Sequence, residues 1–321
     1  MNIFVTGGSG FLGKRLITRL KQSNHRVTAL SRSPQTDAIL QQLGAQPVSG
    51  SLSNIHEWAS VLADQDVVIH AASPIDVWGE WEQLYQEITQ ATAQLYQACG
   101  THHVKRFVYI SSESVLQESK PLVNIDEMFP YPDEPNSYYG KAKKLAELEI
   151  LNTPSTTEAI ILRPSFIWGH GDKQLDTIVN KITARQFIWI NHGQVVMEMV
   201  HVENVVAAIQ LALTNGQSKS IYFVTDDRPM PAKAFLTALL QTRGVTAPQA
   251  SLPGAVAKPA ARLTESIWRG LRIKSVPPLS RFQLDFIALP RRYRIDKIKR
   301  ELGYQPVYSL QIGLDEMTGA A

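Results

Sequence analysis

An α/β fold with a doubly wound parallel sheet is what this chain predicts, on three observations. Short apolar, β-rich runs alternate with stretches of helical periodicity through the first half. Runs such as Val67-Val68-Ile69 and Ile160-Ile161-Leu162 are continuously apolar, as strands covered on both faces must be. The first run leads straight into glycines spaced to turn a strand into a helix.

Residues 2–6 form the first strand. Phe11, Leu12, Leu16, Ile17 and Leu20 then recur at helical spacing across residues 11–22. Arg26 to Leu30 is the second strand, Ala38 to Leu43 a helix and Ala45 to Val48 the third strand. Asp66 to His70 is the fourth strand, followed by a long helix over 82–99. Arg106 to Ser111 is the fifth strand, 140–151 a helix and Glu158 to Leu162 the sixth strand. Beyond residue 163 the alternation loosens. Ile178 to Ala184 and Val202 to Leu213 read as helices, and Ser220 to Val224 as a strand. The expected organisation is a dinucleotide-binding domain over 1–163 and a smaller C-terminal substrate-binding lobe over 164–321, interleaved with the sheet.

Bulk chemistry narrows the function classes. A net charge of +3, with basic residues spread along the chain, argues against a nucleic-acid partner. The dense basic cluster Arg291-Arg292-Tyr293-Arg294 reads as a solvated turn before a helix. A single cysteine, Cys99, excludes an intramolecular disulfide and reads as a buried thiol. His70, His170, His192 and His201 lack ligand spacing, so no metal is expected. No apolar run reaches the ~18–20 residues of a spanning helix, and the first residues carry no signal-peptide pattern. A soluble, cytoplasmic protein is expected, with assembly as a homodimer left open. Residues 252–274 alternate apolar and basic side chains. A packed lid helix with a solvated basic face is favoured there over one lying on a membrane surface.

Gly7, Gly10 and Gly13 in Thr6-Gly7-Gly8-Ser9-Gly10-Phe11-Leu12-Gly13 end a strand and open a helix. The first permits the tight turn, the second admits a pyrophosphate to the backbone, and the third lets helix pack on strand. The helix start supplies free N–H groups for phosphate, with Phe11 and Leu12 in the first turn. This is a Rossmann-type fingerprint for NAD or NADP. The second strand ends in Ser31-Arg32-Ser33 where an NAD-specific chain would carry a carboxylate. Arg32 can pair with a 2′-phosphate, so NADP is preferred.

Tyr139 and Lys143, four residues apart, fall on one helical face. An ammonium beside a phenol is expected to lower its pKa and make Tyr139 a proton-transfer group. Ser112 ends the fifth strand, where its hydroxyl can hold a substrate oxygen; Ser111 and Ser114 are alternatives. Tyr138 is the alternative tyrosine but has Ala142 on its face. His70-Ala71-Ala72 ends the fourth strand with small residues for a close-lying cofactor, and Arg163 ends the sixth where the chain passes the nicotinamide. Ile75, Trp78, Ser114 and Trp168 are candidates for the substrate wall.

TGGSGFLG, DVVIHAAS, RFVYISSESV, YYGKAK and LRPSFIWGHGD together resemble the extended short-chain dehydrogenase/reductase superfamily. Within it the chain is similar to the 3β-hydroxysteroid dehydrogenase and sterol-4α-carboxylate 3-dehydrogenase branch, with dihydroflavonol reductases a near neighbour. The resemblance implies a Ser-Tyr-Lys site at Ser112, Tyr139 and Lys143, with the lysine also on the nicotinamide ribose. Two positions depart from that pattern. Ser51 stands where an acidic adenine contact is common. Aligning the family's helix threonine with Thr92 puts Ile88 and Ala91 at its Asn and Gly positions. The implied activity is interconversion of a secondary alcohol and a ketone on a hydrophobic small molecule. A sugar-nucleotide epimerase or dehydratase is the nearest rival, and a non-catalytic cofactor-sensing scaffold the second.

Overall fold

The computed structural model describes residues 1–74, 78–271, 273, 275, 277 and 280–319. The apolar runs become a seven-stranded sheet. Its strands are β1 (Asn2–Thr6), β2 (Arg26–Ser31), β3 (Gln46–Ser49), β4 (Val67–His70), β5 (Arg106–Ile110), β6 (Glu158–Pro164) and β7 (Ser220–Val224). They lie in the order β7-β6-β5-β4-β1-β2-β3, every neighbouring pair parallel. The order reverses between β1 and β4, which opens a crevice at the carboxyl ends of those strands, the place where such sheets bind ligands.

Alternation along β1 shows why the sheet must be covered twice. Ile3 and Val5 join one buried cluster, with Leu16 and Ile17 of the helix Phe11–Gln22 and Val205 and Ile209 of the helix Val202–Ala212. Phe4, between them, joins the cluster on the other face, with Leu95, Tyr96 and Cys99 of the helix Ala91–Thr101 and Ala142 and Ala146 of the helix Tyr138–Asn152. The second half also builds a lobe of its own around Trp168, Leu175, Trp189, Phe235 and Leu239. Among the described residues no helix is long and apolar enough to cross a membrane, and no cluster of side chains is arranged to hold a metal ion.

Three local expectations are refined. The long helix predicted over 82–99 runs without interruption from Trp81 to Thr101 but carries a π-helical turn, Tyr85–Gln90, between Trp81–Leu84 and Ala91–Thr101. The basic cluster is not a solvated turn: Arg291–Tyr293 is a strand beside Leu122–Ile125, and Arg291 is buried against Glu113 at 3.1 Å. A charge partner far away in sequence makes that burial tolerable. The helix Gly254–Gly270 packs through Gly254, Ala257, Ala261 and Glu265, so its outward face is not purely basic; it also exposes Val256, Leu263 and Ile267.

Candidate active site

The glycine turn is locked by its neighbours. Gly7 sits at φ +77°, and a Cβ there would meet the Ala71–Ala72 backbone at 2.7–2.9 Å. A Cβ on Gly13 would fall 2.1 Å from the Gly7 carbonyl oxygen. The helix Phe11–Gln22 starts at Gly10 with no side-chain cap and no acidic residue in its first turn. Its free N–H groups and positive dipole end therefore face the crevice unopposed, which fits a pyrophosphate. Phe11 and Leu12 are half-buried in that turn.

A chain of neutral hydrogen bonds fixes the cofactor side of β4. The Ala72 N–H donates to Thr6 Oγ1 at 3.2 Å, and that hydroxyl lies 2.7 Å from His70 Nδ1. His70 Nε2 lies 3.1 Å from Thr92 Oγ1, which donates to the Ile88 carbonyl at 2.5 Å inside the π-helical turn. These directions put the imidazole proton on Nε2. Burial, with some repulsion from Lys143, pushes the His70 pKa down to about 3, so the ring stays neutral. Both ring nitrogens of His70 are thus occupied within the protein. Ala71 and Ala72 are half-buried beside Gly7.

At the end of β2, Ser31 is buried with its hydroxyl on the Ser33 carbonyl at 3.2 Å. Ser33 caps the helix Pro34–Gln42 through the Thr36 N–H. Arg32 between them is exposed, and among the described residues it forms no hydrogen bond or ion pair. Ser51, at the position where the likeness expects an acid, caps the short turn Leu52–Glu57 and accepts the Trp58 indole N–H at 2.9 Å.

The helix Tyr138–Asn152 opens on Ser137, whose hydroxyl accepts the Gly140 N–H at 3.0 Å. A Cβ on Gly140 would stand 2.5 Å from the Ser114 carbonyl oxygen, so glycine lets this helix close on the turn that carries Ser112. Ser112 and Ser73 both lie near enough to the Tyr139 phenol to lower its pKa, although Ser73 Oγ is buried without a hydrogen bond of regular geometry. Burial outweighs them and holds the phenol above its ordinary value. Of the three serines, Ser112 is the one beside Tyr139; the Ser111 and Ser114 hydroxyls are buried without partners. Tyr138 turns instead towards Trp81 and Arg269.

Lys143 is 2% exposed and donates to the Ile110 carbonyl at 2.8 Å. Its Nζ lies 4.8 Å from the Tyr109 ring and 5.9 Å from the Tyr139 ring. Burial lowers its pKa from 10.5 to about 7, opposed by the carboxylate of Glu147. The expected lowering of Tyr139 by the ammonium is therefore corrected: desolvation acts on both groups and dominates.

Two residues fall elsewhere. The Arg163 guanidinium is 1% exposed and closed on Glu147, with Nε at 3.0 Å and Nη2 at 2.6 Å from its carboxylate oxygens. Trp168 is not a substrate wall: it is fully buried in the second lobe, with its indole N–H on Asp226 at 2.9 Å. Trp78 is mostly buried beside Arg269, and Ile75 lies outside the described residues. Ser73 stands in the visible His70-Ala71-Ala72-Ser73 run, so motif position was a signal for it. Nothing local pointed to Glu147 as the partner of Arg163.

A model of the 3-beta hydroxysteroid dehydrogenase/isomerase family matches residues 4–254. A 4-hydroxy-2-methyl-3-oxo-4-farnesyl-3,4-dihydroquinoline-1-oxide ketoreductase from Stigmatella aurantiaca is 34% identical over all of this chain and 96% of its own length. A decarboxylating sterol-4-alpha-carboxylate 3-dehydrogenase from Dictyostelium discoideum is 32% identical over 98% of this chain and 99% of its own. Among solved structures, the UDP-glucose 4-epimerase of Thermotoga maritima superposes with a TM-score of 0.76 at 20% identity, covering 100% of this chain and 98% of that one; this likeness is one of fold. With its glycine turn and Ser-Tyr-Lys residues at the carboxyl edge of the sheet, and with this family match, the chain belongs to the 3-beta hydroxysteroid dehydrogenase/isomerase family.

Proposed function

We propose that this protein is an NAD(P)-dependent oxidoreductase, NADP-preferring, that acts between a ketone and a secondary alcohol on an apolar small molecule. One observation carries the reading: the Tyr139 phenol stands beside the Ser112 hydroxyl, one helical turn from buried Lys143, at the ligand-binding edge of the sheet. The Gly7–Gly13 turn and the uncapped helix start fit the pyrophosphate, and unpaired Arg32 fits a 2′-phosphate. The bound nicotinamide supplies or accepts hydride at its ring carbon 4. Ser112 orients the substrate oxygen by hydrogen bonding. Tyr139 moves the proton at that oxygen. A phenol held above its ordinary pKa keeps its proton at neutral pH and can donate it to a ketone oxygen. Lys143 lies under the site to hold a ribose hydroxyl and to steady the phenolate once the proton has left.

The test is nicotinamide absorbance with purified protein, each cofactor in turn, and a panel of aryl, alicyclic and long-chain ketones beside UDP-sugars. Turnover of apolar ketones with NADPH is expected. Tyr139→Phe should lower kcat by about 10²–10⁴-fold while leaving NADPH affinity unchanged. Full activity in that variant, or conversion of UDP-sugars alone, would refute the proposal.

A further inference from the structure

Ser112 opens a tight turn, Glu113–Leu116, and caps it by accepting the Ser114 N–H at 3.2 Å. Two elements close on this turn. On one side is the approach to the helix Tyr138–Asn152: the Asn136 N–H donates to the Gln117 carbonyl at 2.6 Å, and Gly140 lies against the Ser114 carbonyl. On the other is the strand Arg291–Tyr293, from the last part of the chain. The turn thus stands between Ser112 with Tyr139 and a strand far away in sequence.

Glu113 is the side chain that joins them. Its carboxylate is buried and accepts from Arg291 Nη1 at 3.1 Å, from the Tyr293 hydroxyl at 2.5 Å and from Gln117 Nε2 at 2.6 Å. Arg291 is fixed in turn by the Phe286 carbonyl, to which it donates, and by the Phe286 ring. Charge-assisted bonds from two elements leave this carboxylate little freedom to move. Its charge also reaches the reaction centre. Burial comes first in holding the Tyr139 phenol above its ordinary value, and the negative charge of Glu113 adds to it. The other titratable groups around that phenol lie elsewhere. Lys143 faces it from its own helix and Tyr109 from β5, while His70 of β4 stacks on Tyr109 and stays neutral.

We infer that Glu113 is a positioning residue for the proposed reaction: it ties the turn of Ser112 to the C-terminal strand and, through its charge, keeps the proton on Tyr139 until a ketone oxygen takes it. This rests on the reductase reading above, in which Ser112 and Tyr139 meet the same oxygen. Such an arrangement lets a strand of the second half of the chain hold the geometry of the reacting groups without touching substrate.

The test follows kcat/KM for an apolar ketone against pH, with the full chain and saturating NADPH. Glu113→Gln keeps the shape and removes the charge. The phenolate is then less disfavoured, so the alkaline limb that belongs to Tyr139 should move down by about one pH unit, the lower end of what a neighbouring charge does. A limb near pH 7, where burial brings the Lys143 amine, should stay, because the carboxylate acting on that group is Glu147. Glu113→Gln orphans the buried Arg291 and destabilises the fold. Glu113→Gln with Arg291→Met removes the orphaned charge and should show the same shift, since Glu113 is the charge that acts on Tyr139. Glu113→Asp keeps the charge on a shorter arm: its limb should stay at the wild-type pH while kcat falls about ten- to a hundredfold from misplacement of Ser112. That loss should largely disappear in a Ser112→Ala background, where no hydroxyl is left to misplace. An alkaline limb at the wild-type pH in both Gln variants, or a Glu113→Asp loss just as large in the Ser112→Ala background, overturns the inference and leaves the reductase intact. Failure of wild type to reduce any apolar ketone, with NADPH bound, overturns the reductase reading and the inference together.

Discussion

Arg163 and Glu147 offer a direct contest between a contact with cofactor and a role inside the fold. Glu147→Gln leaves a guanidinium that is 1% exposed, and that the carboxylate holds charged against the opposing effect of burial, facing a neutral amide. The Tyr131 hydroxyl, 2.6 Å from Glu147 Oε2, loses its charged acceptor as well. Removing one partner of such a pair costs about 3–5 kcal/mol. For 321 residues the unfolding entropy is roughly 0.7 kcal/mol/K, so the melting temperature should fall by about 4–7 °C. Arg163→Met should cost a similar amount. The double variant Glu147→Leu with Arg163→Met should recover most of the loss, because an apolar pair of comparable volume substitutes well for a buried ion pair. Thermal unfolding by circular dichroism measures all four proteins. Calorimetry well below the transition should find NADPH binding by Arg163→Met within about threefold of wild type, less than a charged contact contributes. A normal melting temperature with a large loss of cofactor affinity would refute the reasoning and return Arg163 to the cofactor.

Two further expectations follow from the same geometry. Lys143 should make the fold more stable as pH rises from about 7 towards 10.5, because over that window the unfolded chain holds a proton that the buried amine has released. Lys143→Met should flatten that rise and abolish turnover; a parallel pH profile for the two proteins would exclude the buried amine as its source. Arg32→Ala should weaken NADPH binding by about ten- to a hundredfold and leave NADH nearly untouched; equal losses for both cofactors would remove Arg32 from the 2′-phosphate.

The strands were legible because burial on both faces writes itself into consecutive apolar residues, as at Val67-Val68-Ile69. The Tyr139 and Lys143 pair was legible because helical spacing puts them on one face. Arg291 and Arg163 were not, because the carboxylates that permit their burial belong to other elements: Glu113 is 178 residues from Arg291. Local composition sees a charge and cannot see its partner. The π-helical turn at Tyr85–Gln90 likewise has no local signature in the sequence.

The Ala72–Thr6–His70–Thr92–Ile88 chain contains no charge, and its histidine titrates far below physiological pH. On the proposed reading, the hydrogen-bond chain beside the glycine turn keeps its geometry across physiological pH, whereas a grip of Arg32 on a 2′-phosphate would be an exposed pairing that ions screen within about 10 Å at 0.1 M. NADP would then lose affinity with added salt faster than NAD, and the ratio between their use would depend on ionic strength as well as on sequence.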